Sequence, residues 1–108
     1  PAQITSNQNN YDPVDATDAI SFVDAAFIFF STDASRSITG IDAEDVSHGQ
    51  RITLVNIGAF DGVLVHNSGS SSSGNKFFLP SATNATIPSF GSYVLVYDRV
   101  NGVWRSAR

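Results

Sequence analysis

The sequence predicts an all-β fold, a single antiparallel β-sandwich or jelly-roll-like barrel, and three observations carry the prediction. From Arg51 to Arg105, short apolar segments (RITLVNIG, GVLVHN, KFFLP, ATIP, SYVLVYDR, VWRSA) alternate with the turn formers AFD, SGSSSSGN, SATN, SFG and VNG. Strands at that spacing leave no stretch long enough for a helix. Residues 19–30 are aromatic and β-branched, which favours a strand over a buried helix. Finally, 108 residues are enough for one domain with one core.

Residues 1–18, PAQITSNQNNYDPVDATD, offer only Ile4, Tyr11 and Val14 as apolar anchors. A segment so poor in apolar surface cannot order itself, so it is expected to be an extended polar arm, with residues 19–108 as the β-domain. In Ala25 to Phe30 the residues Phe27 and Phe29 point one way and Ile28 and Phe30 the other, giving a strand that is apolar on both faces. One face can fill the interior; the other needs a cover. Phe27, Ile28, Phe29 and Phe30 are therefore the expected trimer interface. STDASRS supplies turn chemistry, SITGI a short strand, and DAEDVSHG an acidic loop ending at Gly49. The serine run from Ser68 to Asn75 reads as an exposed, mobile tip. Asn101-Gly102 predicts a two-residue type I′ turn that sets Val100 against Val103, Arg99 against Trp104 and Asp98 against Arg105; a three-residue bulged turn, which would shift every pair by one, is the alternative.

The charge is unevenly spread. Residues 1–50 hold Asp12, Asp15, Asp18, Asp24, Asp33, Asp42, Glu44 and Asp45 against Arg36, net −7; residues 51–108 hold Arg51, Lys76, Arg99, Arg105 and Arg108 against Asp61 and Asp98, net +3. An acidic half with scattered arginines repels phosphate backbones, so no nucleic-acid partner is expected. Cysteine is absent, which excludes a disulfide framework and thiol chemistry. No basic-then-apolar leader or run of membrane-spanning length occurs, so a soluble chain without export signal or membrane partner is expected. Pro1 is the kind of residue exposed when an initiator Met is removed, which makes a whole gene product the expectation.

Chemistry-bearing constellations are weak. His66, Asp61 and Ser70 spell a triad, but the serine lies in a flexible run with nothing to hold it against a base. Asp42, Glu44, Asp45 and His48 lack the alternating ligands and central glycine of a calcium loop. No catalytic, metal or cofactor residue is assigned. Most of the phenylalanines and tyrosines are assigned to core or subunit interface. Tyr93, Tyr97 and Trp104 are the alternative, a shelf on which a sugar face could stack.

The ordered set ITSNQNNY, STDASRSITGI, ITLVNIG, HNSGSSSSGNKFFLP and YVLVYDRVNGVWR resembles a compact β-module of tailed-bacteriophage virion proteins, found in tail fibres, receptor-binding tips and capsid-decorating proteins. The likeness runs from about Ile4 to Arg105. It implies a β-sandwich that assembles as a trimer on the virion surface and is not an enzyme. Fibre tips follow a shaft or coiled coil, whereas here the module begins almost at Pro1, which fits a decoration, or cement, protein. The acidic DAEDVSHG loop departs from the pattern. The expectation is a homotrimer, made in the host cytoplasm, that binds the major capsid protein through Ile4, Asn7, Asn9, Asn10 and Tyr11 of the arm. A receptor- or carbohydrate-binding tip of a tail fibre is the alternative.

Overall fold

Residues 3–12, 27–44 and 46–107 are described by the structure, a computed structural model. They form nine strands: β1 Gln3–Ile4, β2 Phe27–Thr32, β3 Arg36–Ile38, β4 Arg51–Asn56, β5 Gly62–Leu64, β6 Lys76–Phe78, β7 Ala85–Ile87, β8 Ser92–Asp98 and β9 Val103–Ser106. Among the described residues the only helical element is a 3-10 turn, Pro80–Ala82. The all-β prediction is therefore met.

The strands make two sheets, one of order β1-β2-β4-β8-β9-β6 and one of order β3-β5-β7. Alternation decides which side chains go in. Ile28 and Phe30 of β2, Ile52 and Leu54 of β4 and Leu95 of β8 are buried, as are Ile38, Leu64 and Ile87 of the smaller sheet. All belong to one apolar cluster with Phe77 and Trp104. Gly62 is required where β5 passes the Phe30 ring: a Cβ there would lie 2.8 Å from the ring edge.

The pairing departs from an antiparallel sandwich. Antiparallel ladders join β4 to β8, β5 to β7 and β8 to β9, but β1–β2, β2–β4, β3–β5 and β6–β9 are parallel. The reason lies in the corners. After β2 and after β4 the chain turns into the other sheet instead of folding back as a hairpin, so each pass crosses both sheets and the next pass lies parallel to it. Phe27 pairs with Thr53 and Arg36 with Gly62, a constant step of about 26 residues. Two such passes stack as rungs of a β-solenoid-like body.

A third rung comes from the N-terminus. Gln3 and Ile4 pair with Ser31 and Thr32, Gln8 bridges to Ile38 and Tyr11 to Ile41, all parallel. Residues 3–12 are thus part of the β-body and not an arm extended from it. The physical reason is that one apolar anchor, Ile4, is buried at the edge of the core, while backbone pairing supplies the rest. The expected boundary at residue 18 lies outside the described residues.

The last hairpin is also shifted. Asp98 pairs with Val103, Tyr97 with Trp104 and Val96 with Arg105, leaving a four-residue loop, Arg99 to Gly102, with Gly102 at φ +68°. The Asp98 carboxylate accepts hydrogen bonds from Asn101 N (3.1 Å) and Nδ2 (2.8 Å) and so builds the turn on itself. The shift of two residues keeps every side chain on its expected face.

Candidate functional site

The strand β2 presents Phe27 and Phe29 to the outside, 59% and 49% exposed, with ring centroids 6.4 Å apart and planes 19° from parallel. Register places Thr53 and Val94 beside Phe27, and Val55 and Ser92 beside Phe29. The result is an apolar outer face on the larger sheet. Ile28 and Phe30, expected with their neighbours at a subunit interface, are instead 7% and 0% exposed in the protein's own core. Period-two alternation splits the four residues between the two faces, so only half of the expected interface is available to a partner.

The arm residues are turned toward the body. Ile4 is buried, Asn7 Oδ1 accepts from Ser37 N (3.0 Å), and Tyr11 N donates to Gly40 O (2.8 Å). The Thr39 hydroxyl lies 2.7 Å from both Asn9 Oδ1 and Ser71 Oγ. Asn10 makes three ties: its N donates to Ser71 Oγ (2.8 Å), and its Oδ1 accepts from Ser72 N (2.7 Å) and Asn75 Nδ2 (2.9 Å). The residues expected to reach for a capsid are bonded to the protein's own backbone and side chains, because a polar strand at a sheet edge has nearer partners than a second molecule.

These contacts correct a second expectation. Ser71, in the middle of the supposed mobile tip, is 4% exposed and bonded on both sides. Sequence reading missed the clamp because both halves look like solvent-facing low complexity. The available signal was their complementarity, a run of amides in Asn7 to Asn10 and a run of hydroxyls in Ser68 to Ser73.

The proposed sugar shelf is closed. Trp104 is 0% and Tyr97 4% exposed, with ring centroids 4.9 Å apart. Trp104 Nε1 donates to Ile41 O (3.0 Å) and the Tyr97 hydroxyl to Gly74 O (2.8 Å), so their polar tips serve the interior. Tyr93 is half-buried against the core. In place of the expected Arg99 to Trp104 contact, the Arg99 guanidinium lies 5.7 Å from the Tyr97 ring centroid. It donates to the carbonyls of Val46 (3.0 Å), Ala43 (3.3 Å) and Glu44 (3.2 Å), and thereby holds the acidic loop by its backbone.

Both histidines are engaged at Nδ1: His66 accepts from Leu79 N (2.9 Å) and His48 from Arg99 N (3.2 Å). His66 Nδ1 is therefore not directed at Ser70, whose own N bonds to Ser68 Oγ. In the acidic loop, Asp42 Oδ1 accepts from Glu44 N, and Asp45 lies outside the described residues. No group of three His, Asp or Glu among the described residues is arranged to hold a metal ion.

Two exposed ion pairs shape the electrostatics. Asp98 is held down to about 2, first by the Asn101 amide and then by Arg105 Nε at 2.9 Å. The expected Asp98 to Arg105 pair thus forms, diagonally and not directly across the ladder. Asp33 is lowered by its hydrogen bond from Arg36 (2.7 Å), which in turn is raised. What the geometry assembles is an apolar outer face open to a partner and a polar clamp that closes on the protein itself. No family model matches this chain, and no curated protein or solved structure matches it either.

Proposed function

We propose that this protein is a structural virion protein of a tailed bacteriophage, a decoration protein that binds the major capsid protein as a trimer and reinforces the shell. The observation that carries the reading is the outer face of the larger sheet, where Phe27 and Phe29 stand exposed beside Val55 and Val94. Adjacent exposed aromatic rings on an open sheet face supply the apolar part of an association surface. The sequence resemblance supplies the virion context, and the two-sheet body around one core supports its β-module.

In this reading the trimer closes on the Phe27/Phe29 face. Capsid contact falls to the N-terminal rung, along which Gln3, Thr5 and Ser6 are exposed. Three such edges linked in one trimer engage neighbouring capsid subunits at high effective concentration, so modest individual contacts give high occupancy.

Electron-microscopic reconstruction of the particle that carries the protein tests the proposal. Many copies in threefold clusters over the capsid are the expected result. A few copies confined to the tail would favour a receptor-binding tip, and absence from the particle would overturn the virion reading. In solution, Phe29→Ser is expected to dissociate the trimer, and its monomer to melt within a few degrees of wild type at a dilution where neither protein associates.

A further inference from the structure

The turn between β7 and β8 carries an unusual choice. Pro88 to Gly91 closes with a 2.8 Å bond from Gly91 N to Pro88 O, and its third residue, Phe90, has φ +63°. Turns place glycine or asparagine at such a position, because a bulky side chain in the left-handed region is strained. Phe90 is also 81% exposed, so its ring gains no burial within the described fold that could offset the strain. Strain retained at an exposed aromatic points to a role outside the monomer.

Phe90 does not stand alone. The β4–β5 corner beside it exposes Ile57 (45%) and Phe60 (48%). The two loops are laced together. Ser89 Oγ donates to Gly58 O (2.6 Å), and the buried Asn56 amide donates to Phe60 O (2.7 Å) and Ile87 O (3.1 Å) while its oxygen accepts from Gly58 N (3.0 Å). The tip is therefore presented rigidly. It is also continuous with the outer sheet face: Val55, beside Phe29, leads through Asn56 into Ile57, and Ser92, in register with Val55, follows Phe90 and Gly91.

We infer that Phe90, with Phe60 and Ile57, is an assembly anchor that packs against a second copy of this chain, extending the sheet-face contact. The inference rests on the self-association part of the reading above. Area supports it. At ~200 Å² per ring, the exposed parts of Phe27 and Phe29 come to only ~200 Å², about a quarter of the ~800 Å² that a partner brings to a standard interface. With Phe60 and Phe90 the exposed ring surface rises to roughly 450 Å², more than half of that requirement.

Sedimentation equilibrium and thermal melting of four full-length proteins decide the matter: wild type, Phe90→Gly, Phe29→Ser and Val100→Ser. Val100 is as exposed as Phe90 (82%) but sits in the loop at the far end of β8 and serves as control. The expected result is that Phe90→Gly associates about thirtyfold more weakly than wild type, the factor an interface anchor carries, while its monomer, melted at a dilution where neither protein associates, is the more stable because the strain is relieved. Val100→Ser is expected to associate as wild type does. If Phe29→Ser weakens association and Phe90→Gly does not, the anchor is overturned while the sheet-face contact stands. A lower melting temperature for the Phe90→Gly monomer at a dilution where neither protein associates would assign Phe90 to the fold itself and overturn the inference. A wild-type monomer at about 0.1 mM would overturn both self-association readings.

Discussion

Two rungs flank the β2–β3 pass, and they are held by opposite means. On one side β4 and β5 contribute Ile52, Leu54 and Leu64 to the interior, each at most 1% exposed. On the other, residues 3–11 contribute only Ile4 and the partly buried Tyr11 and are otherwise fastened by backbone bridges and by the Asn9, Asn10, Thr39 and Ser71 cluster. The same parallel geometry is thus reached through apolar burial in one rung and through hydrogen bonding in the other. Burial is strong and indifferent to direction, whereas the polar clamp depends on each partner, since one lost hydroxyl removes bonds to more than one group.

Removing the apolar fastening should have the largest effect. Leu54→Ala is expected to cost about 2–5 kcal/mol, read by chemical denaturation, and to lower stability of the whole domain. Next comes Ser71→Ala, which leaves Asn10 N and the Thr39 hydroxyl short of a partner and is expected to cost about 1–3 kcal/mol. Its signature is regional. Hydrogen exchange should accelerate at Gln8, Tyr11 and Thr39, whose amides pair across the rung boundary, while β4 and β8 amides remain protected. Uniform acceleration would show that the two rungs unfold as one unit.

Thr32→Val sharpens the contrast with an effect of opposite sign. Thr32 lies at the β1–β2 seam, 2% exposed, and its hydroxyl has no hydrogen-bond partner among the described residues. Replacing it with a methyl group of the same shape should stabilise the fold by up to about 1 kcal/mol in the same denaturation assay. The smallest effect belongs to a site outside both rungs. Asp98 is lowered to about 2 from an ordinary 3.8, so its contribution is complete above about pH 5 and disappears as pH falls through 4 toward 2. The stability difference between wild type and Asp98→Ala should shrink over that window. A difference that grew on acidification would contradict the assigned hydrogen bonds.

The sequence disclosed these regions unequally, for a physical reason. Alternation in RITLVN, FIFF and SYVLVYD marks strands and buried faces, because period two is a local property. It does not say which strands pair or in which direction. The parallel stacking became visible only through the 26-residue step relating Phe27 to Thr53, where Phe30 answers Asn56 and no residue identity announces a repeat. The outer face was half legible: the split of Phe27 and Phe29 from Ile28 and Phe30 was read correctly, but all four were assigned to a partner. The clamp was illegible, since Asn10 and Asn75 are 65 residues apart and each resembles solvent-facing loop. Arg99 was misassigned because the turn is set by the Asp98 side chain, and a hairpin predicted from Asn-Gly alone ignores that bond.

The clamp also orders events in time. Asn10 leaves the ribosome before its partners Ser71, Ser72 and Asn75, which follow more than 60 residues later, roughly 3–13 s at ordinary synthesis rates. Through that interval the N-terminal segment has no serine loop to close on. Residues 3–11 are thus made before the loop that fastens them, and their fastening is expected late in folding. Pulse-labelled exchange during refolding should find the Tyr11 amide protected after those of β4 and β8, a delay that follows from loop closure over a long sequence separation.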